Sequence, residues 1–357
     1  MTGGDAGWSG RDEAGRRPRT IGFLLIPEFG LLAYASAIEP LRAANALSGR
    51  ELYRWRHLSP DGGAVAASNG VRIVPDVLLK DAARELDALL VCAGGNPAAF
   101  RDAATFEHLR RFARRKRPIG GVAGGPYVLA RAGLLRGYRF TLHWEYARAL
   151  AEEFPDLDLR RTLFEVDREL LTSSGGTAAL DMMHAFLARE HGAELAMRVS
   201  EWFLQTDIRE NSHPQRMALA ERLGVRSQPT LKAVGCMEAN IEAPVSRAAL
   251  AARAGVSPRQ LERLFRLHLG CTPGAYYSRL RLSQARLLIR QSALAVVEVA
   301  SACGFASASH FSRAYRKQFG RSPVAERAEG CGALSLRSAA MSPAVMSGGA
   351  GAGRVGT

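Results

Sequence analysis

Paired cysteines, lysine and long apolar runs are all scarce in this sequence, and each scarcity narrows what the chain can be. The five cysteines (Cys92, Cys236, Cys271, Cys303, Cys331) are odd in number and contain no CxxC pair. That fits neither a disulfide framework nor a zinc module, and predicts a reduced, cytoplasmic compartment with no metal centre. No apolar stretch reaches the ~18 residues that a membrane span requires. The N-terminal residues have no apolar region of the secretory-signal kind. Of 48 basic residues only Lys80, Lys116, Lys232 and Lys317 are lysine. An Arg and Ala bias of this kind also follows from GC-rich coding, so the formal charge of +14 acquires meaning only when it is located along the chain.

What is present is ordinary globular material: 357 residues, 47% hydrophobic and 23% charged, a length that favours two domains. Residues 1–19 and 329–357 are polar, Gly-rich or Ser/Ala/Pro-rich and are expected to be disordered. Between them, short apolar runs such as IGFLLIP (21–27), DALLVCAGG (87–95) and PIGGVAGG (118–125) alternate with helix-period stretches. This predicts an α/β domain over 20–210 with a mostly parallel, flavodoxin-like sheet covered on both faces. A break from NSHPQ to RSQPT predicts a linker at 211–230, followed by an all-α domain over 231–328. Residues 228–330 hold 15 Lys or Arg against 6 Asp or Glu, a net +9, whereas residues 1–227 carry only +3. The basic excess belongs to the helical half, where it points to a polyanionic partner.

That half contains a duplication. LAARAGVSPRQLERLFRLHLGCTP (250–273) and VASACGFASASHFSRAYRKQFGRSP (299–323) share a helix, a glycine turn, a Ser-started helix and a closing Gly-x-x-Pro. A glycine between two short helices accommodates positive φ, and Ser257 before Pro258 is a strong helix start, as is Ser307 in the second copy. Each copy reads as a helix-turn-helix unit whose second helix enters the major groove. A plain bundle with a solvated basic face is the alternative, and the repetition argues against it.

The arrangement resembles the AraC/XylS regulator domain, and GFASASHFSRAYRKQFGRSP lies close to that family's most specific signature. The resemblance implies two recognition helices joined by a long helix near Pro273–Arg290, whose 18 residues span ~27 Å against the ~34 Å between successive major grooves. Family base-reading positions fall on Arg259, Glu262 and Arg263, and then on Ala308, Ser309, Ser312 and Arg313. His310, Arg316 and Lys317 are placed for phosphate contact, which positions the protein without specifying sequence.

In the first half, two strand-to-glycine turns, VCAGGN (91–96) and VAGGPY (122–127), have the geometry of a nucleophile elbow, where backbone N–H groups bind anions. Plain tight turns are the alternative. The stretch Ile21 to about Arg209 resembles the class I glutamine amidotransferase-like, PfpI-type fold, and the domain order resembles GlxA-type AraC regulators. Enzymes of that fold carry an elbow cysteine and a helper acid. Here those positions fall on Ala123 and near Ala33, which removes the nucleophile. Cys92 lies in the other turn with no identifiable base. A pocket without catalysis can still bind a ligand. Candidate contacts are the backbone of Gly94, Gly95, Ala123, Gly124 and Gly125 for a carboxylate, and His143, Trp144 and Glu145 for a cation. The closest-looking subgroup, regulators of carnitine and glycine-betaine type metabolism, implies a small quaternary ammonium zwitterion. The alternative for Trp144 and His143 is a core filler and a turn cap. Asp181 starts an apolar helix whose family counterpart lines or abuts the pocket, and equally suits an N-terminal-turn carboxylate favoured by the helix dipole, whereas His184 and His191 read as structural. The sequence therefore predicts a cytoplasmic, dimeric transcriptional regulator without a cofactor. Its predicted partners are double-stranded operator DNA, a small-molecule effector and RNA polymerase. The alternative is a PfpI-type hydrolase fused to a DNA-binding module.

Overall fold

The computed structural model describes residues 17–82 and 85–328. The terminal segments 1–16 and 329–357, where disorder was expected, lie outside the described residues. In chain order the first half runs β1 (Arg19–Leu25), α1 (Leu31–Ser48), β2 (Tyr53–Ser59), β3 (Val65–Ala66), β4 (Arg72–Ile73), β5 (Val77–Leu78), α2 (Leu79–Ala82) and β6 (Ala88–Ala93). A single 3-10 turn at Pro97–Ala99 leads to α3 (Ala103–Ala113), β7 (Ile119–Ala123), α4 (Gly125–Arg131), β8 (Arg139–Phe140), α5 (Trp144–Glu153), β9 (Asp158–Leu159), β10 (Phe164–Asp167), β11 (Leu170–Ser173), α6 (Ala178–His191) and α7 (Ala193–Trp202).

Seven of these strands form one sheet in the order β10-β11-β7-β6-β1-β2-β5. Every pairing in it is parallel except β10 with β11. Strand β6, ALLVCA, is buried at every residue, as a central strand covered on both faces must be. Alternation along β1 and β6 separates two cores. Leu24, Leu89 and Val91 pack with Tyr127 and Phe140 on one side, while Phe23, Leu25, Leu90 and Cys92 pack with Phe164 and Met182 on the other. The chain crosses from β1 to β2 in one direction and reaches β6 and β7 in the other. The ends of β6 and β7 thus lie beside a switch in strand order, where open α/β sheets bind ligands.

The second half comprises α8 (Leu219–Leu223), α9 (Gln228–Ala239), α10 (Arg247–Ala254), α11 (Pro258–Leu269), α12 (Pro273–Gln291), α13 (Val296–Ala302) and α14 (Ala308–Phe319). Segment 211–230, expected to be a linker, already contains α8 and the start of α9. A five-residue helix closed by the left-handed Gly224 is too short for periodicity to reveal. Ser257 caps α11 in a reciprocal box with Gln260, and the Ser307 hydroxyl accepts from the His310 N–H to start α14. Over residues 261–270 and 311–320 the two copies show the same order of buried, half-buried and exposed positions. Leu261 and Phe265 in one, and Phe311 and Tyr315 in the other, are fully buried. Leu264, beside them on α11, is only half-buried.

The copies differ in what they pack against. The first has its own core with α9, built on Ala233, Val234, Met237, Leu261 and Phe265. The second shares a continuous core with the sheet domain, in which Leu288, Ile289, Phe311 and Tyr315 join the cluster containing Tyr127 and Leu150. Arg148 of α5 donates to the Ala302 carbonyl across this boundary.

The turn glycines record the same asymmetry. Gly255 and Gly304 are both left-handed, with φ of 71° and 70°. A Cβ on Gly255 would meet nothing within 4 Å, but one on Gly304 would lie 2.6 Å from the Glu242 carbonyl oxygen and 2.7 Å from that of Ile241. Gly255→Ala is therefore expected to cost about 1–2 kcal/mol, from backbone strain alone, and Gly304→Ala about 2–5 kcal/mol because a clash is added. Urea unfolding of the two variants measures the difference, and equal costs would contradict the crowding at the second turn.

Candidate ligand pocket and nucleic-acid interface

Strand β7 ends on Ala123, whose φ of 57° is a left-handed conformation that costs an L-residue about 1–2 kcal/mol. The chain then enters α4 through Gly124 and Gly125, so the elbow expected from sequence is present, with a methyl group at its apex. Its surroundings hold it tightly. The His143 N–H donates to the Ala123 carbonyl at 3.2 Å, and a Cβ on Gly175 would stand 2.6 Å from that of Ala123. A Cβ on Gly125 would lie 1.9 Å from the Val91 carbonyl oxygen, and one on Gly94 2.4 Å from that of Glu28. These glycines are required by close backbone approach as well as by turning. Among the described residues the N–H groups of Gly95 and Gly125 have no protein acceptor, which leaves donors at the apex for an anion.

Covalent chemistry finds no nucleophile here. Cys92, on the neighbouring strand, is 2% exposed, and burial pushes its thiol well above the ordinary range. A thiol held protonated is a poor nucleophile. A Tyr34–His57–Asp76 chain, with Tyr34 Oη to His57 Nε2 at 2.6 Å and His57 Nδ1 to Asp76 Oδ2 at 3.0 Å, resembles a proton relay. It ends on a buried phenol whose pKa burial raises further, so its role is to tie α1 to β2 and the loop before β5. A depression of about 400 Å³ lined by Asn45, Glu51, Tyr53, Arg54, Trp55 and Arg56 lies along β2, away from the elbow. Its rim is charged and its Arg54 is committed to Glu51, so the convergent polar groups of the elbow mark the better candidate.

Of the side chains expected to line the pocket, His143 is the N-cap of α5 and its Nδ1 accepts from the Glu145 N–H at 3.4 Å. Burial draws its pKa below the ordinary value, with Glu145 partly opposing, so the imidazole is neutral at pH 7. Trp144 is not a core filler, being 39% exposed. Its ring stands 5.3 Å from that of His143, and Arg216 lies over it at 4.5 Å from the ring centroid. An exposed pair of this kind is worth about 0.5–1 kcal/mol. Glu145 is about one-third exposed beside them.

Three contributors were not anticipated from sequence. Glu28 has φ 65°, and its side chain lies over Gly95. Tyr146 is buried beneath His143, where burial and the nearby charges of Glu145 and Glu28 raise its pKa. Arg216 comes from the segment read as linker. Asp181, considered for the pocket, is 1% exposed and accepts from Arg209 and Gln205, so it anchors the outgoing chain. His184 and His191 are each bonded to a hydroxyl, that of Ser200 and of Tyr53 respectively. Among the described residues no group of three or more metal-binding side chains is found.

On the helical half, Arg259, Arg263, Arg313, Arg316 and Lys317 are exposed. Among the described residues none of them forms an ion pair, so a row of uncompensated cations follows the outer faces of α11 and α14. Ala308, Ser309 and His310 are exposed at the start of α14, and Ser312 is half-buried. Glu262 differs: its oxygens take Arg247 at 3.3 Å and Arg266 at 2.8 Å, which engages them within the protein. The connecting helix α12 has 19 residues, ~28 Å of rise.

Comparison with known proteins agrees with both halves. A helix-turn-helix domain model matches residues 250–329, and the DJ-1/PfpI family model matches residues 29–189. The chain is similar to the HTH-type transcriptional regulator GbdR of Pseudomonas aeruginosa, 47% identical over 87% of this chain and 85% of that one. It is also similar to the HTH-type transcriptional regulator GlxA of Rhizobium meliloti, 46% identical over 86% of this chain and 95% of that one. The HTH-type transcriptional regulator CdhR of Pseudomonas aeruginosa is 44% identical over 90% of this chain and 94% of that one.

The crowding at the elbow is testable by a double-mutant cycle. Gly175→Ala is expected to cost about 2–5 kcal/mol through strain and overpacking. Ala123→Gly removes the methyl that it would strike, and should recover a measurable part of that cost. Strict additivity of the two changes in denaturant unfolding would show that Ala123 and Gly175 do not share this contact.

Proposed function

We propose, from the premise that the chain belongs to the AraC-type HTH transcriptional regulators that carry an N-terminal DJ-1/PfpI domain, that its sheet domain is a non-catalytic sensor of a small organic zwitterion. The domain limits we assign are 20–210 for the sensor and 231–328 for the DNA reader, joined by 211–230. The observation that carries the sensor reading is the elbow itself. It keeps its strained geometry at Ala123 while lacking a nucleophile, its Gly124 N–H is taken by the Ala93 carbonyl but the Gly125 N–H has no protein acceptor among the described residues, and it stands beside an exposed indole next to Glu145. A carboxylate fits the N–H groups of Gly95 and Gly125, and a weakly hydrated cation fits Trp144 with Glu145. Gly94, Ala123 and Gly124 shape the backbone between them, and His143 orients the indole. A trimethylammonium acid of the carnitine or glycine-betaine type combines both ends, and it is the class implied by the subgroup that the sequence resembles.

For the DNA half, the base-reading set is Arg259, Arg263, Ala308, Ser309, Ser312 and Arg313, with His310, Arg316 and Lys317 on phosphates. Arg263 offers a bidentate match to guanine O6 and N7. Glu262 reads DNA only if it exchanges its arginine partners for a base. A homodimer, contact with RNA polymerase and a cytoplasmic location complete the proposal. Regulation follows from any difference in effector affinity between the DNA-competent arrangement and the other.

Arg263→Ala is expected to weaken specific operator binding by about 1–3 kcal/mol and to relax preference at one base position, and an unchanged footprint would remove Arg263 from the interface. On the sensor side, glycine betaine, carnitine and dimethylglycine are to be screened by thermal shift. The true effector at 100 times its dissociation constant should stabilise the chain by about 2.7 kcal/mol. Amide turnover by the purified chain, abolished by Cys92→Ser, would overturn the non-catalytic assignment.

A further inference from the structure

The chain leaving the sheet domain crosses the pocket before it reaches the DNA-reading helices. It is fixed first at Asp181, which accepts from the N, Nε and Nη2 of Arg209 at 3.0, 3.0 and 2.6 Å and from Gln205 Nε2 at 2.8 Å. The Leu163 N–H then donates to the Asn211 carbonyl at 2.8 Å. Gln215 Nε2 is placed between the Thr141 hydroxyl, the Leu142 carbonyl and the Thr162 carbonyl, at 3.1, 3.1 and 2.7 Å. Thr141 and Leu142 lead directly into His143 and Trp144. The next residue, Arg216, lays its guanidinium on the Trp144 ring. Three residues later α8 begins, and Arg222 at its end pairs with Glu238 of α9.

Arg216 differs from Arg209 and Arg222 in having no carboxylate within ion-pair range among the described residues. Its environment disfavours its charge: partial burial and the neighbouring Arg222 lower its pKa, with Glu238 only partly opposing. An exposed arginine without an acid partner, resting on one face of an indole, occupies the place that an organic cation would take. Guanidinium is weakly hydrated and planar, and this is what lets it lie on an aromatic face. A trimethylammonium group shares the weak hydration and presents no N–H that needs a partner, so it can replace Arg216 there. A primary ammonium, strongly hydrated, is a poorer competitor.

We propose that the Trp144 ring is the cation subsite of the effector pocket and that Arg216 is its resident occupant. A ligand bearing a trimethylammonium group displaces Arg216 and thereby loosens residues 216–218, the stretch that leads into α8 and the first helix-turn-helix unit. The proposal rests on the sensor reading above for its ligand class, and adds the competitor and the route by which occupancy reaches the DNA-binding half.

The test uses the full chain with glycine betaine and tetramethylammonium as probes. Titration calorimetry on the wild type, Arg216→Ala and Trp144→Phe measures affinity, and hydrogen exchange follows the Arg222 amide, which donates to the Ala218 carbonyl at the start of α8. Arg216→Ala is expected to bind both probes about two- to five-fold more tightly, because removal of the resident cation removes its competition. Trp144→Phe should bind them more weakly than the wild type. Exchange at that amide should rise a few-fold on ligand binding in the wild type, and should already be raised to a similar extent in ligand-free Arg216→Ala. Binding by the wild type with equal or weaker affinity in Arg216→Ala, or with unchanged exchange, overturns the displacement and leaves the sensor reading standing. Absence of binding by all three proteins overturns both.

Discussion

At Ala123 the backbone sits at φ 57°, a conformation that only its neighbours can maintain against a cost of about 1–2 kcal/mol. Gly175 leaves room for the Ala123 methyl, since a Cβ there would stand 2.6 Å from it, and the His143 N–H holds the carbonyl. Gly125 lets α4 approach Val91 at a distance no side chain would permit. Through that one hydrogen bond from His143, the cap of α5 and the exposed indole beside it are tied to the end of β7. Strain of this kind persists where the surrounding structure over-determines it, and it clusters at ligand sites. In an enzyme the same elbow presents a nucleophile, whereas here it presents a methyl group beside backbone donors.

How much of this was legible in the sequence follows from the distance over which each signal acts. Strands β1, β6 and β7 announced themselves because their apolar runs are short and continuous, with β6 and β7 running into glycine pairs, a pattern local to six or seven residues. The duplicated helix-turn-helix was legible because two local signals recur at a fixed offset, and one copy could be checked against the other. Ala123 was found because the elbow is a strand, a glycine pair and a helix in direct succession. Glu28 was missed because a left-handed glutamate leaves no trace in composition. Arg216 was missed for another reason: it lies 72 positions after Trp144, in a stretch whose proline and polar residues read only as a connection. Contacts between distant segments need the fold before they can be seen.

The two DNA-reading units carry the same outward face on different foundations. The first packs within its own cluster with α9, and the second is continuous with the core of the sheet domain. A change in the sheet domain can therefore reach the second unit through shared packing at α12 and α5. It can reach the first along the chain through 211–230 and through α12, whose Tyr277 lies in the first unit's core while its Leu282 and Leu288 lie in the shared one. The crowded turn at Gly304, closed over the carbonyls of Ile241 and Glu242, also ties the second unit to the end of α9. One unit is thus anchored directly to the sheet domain, and the other is held to it through α12 and the connector.

The strengths of the connector's attachments determine which end can move. Asp181 is a nearly inaccessible carboxylate satisfied by a guanidinium, an amide and a backbone N–H, and removing a partner from such a group costs about 3–5 kcal/mol. The Arg216 contact on Trp144 is exposed and worth about 0.5–1 kcal/mol. Coupling free energies between sites in regulators are about 1–3 kcal/mol, so a ligand able to break the second attachment cannot break the first. Asp181 with Arg209 is the fixed end, and Arg216 is the end that can be released. The amide of Gln215 lies between them and is held by Thr141 and Leu142, the residues that lead into His143 and Trp144. Release of Arg216 alone yields only a few-fold shift, and a larger response requires that Gln215 give up its three acceptors in the same step.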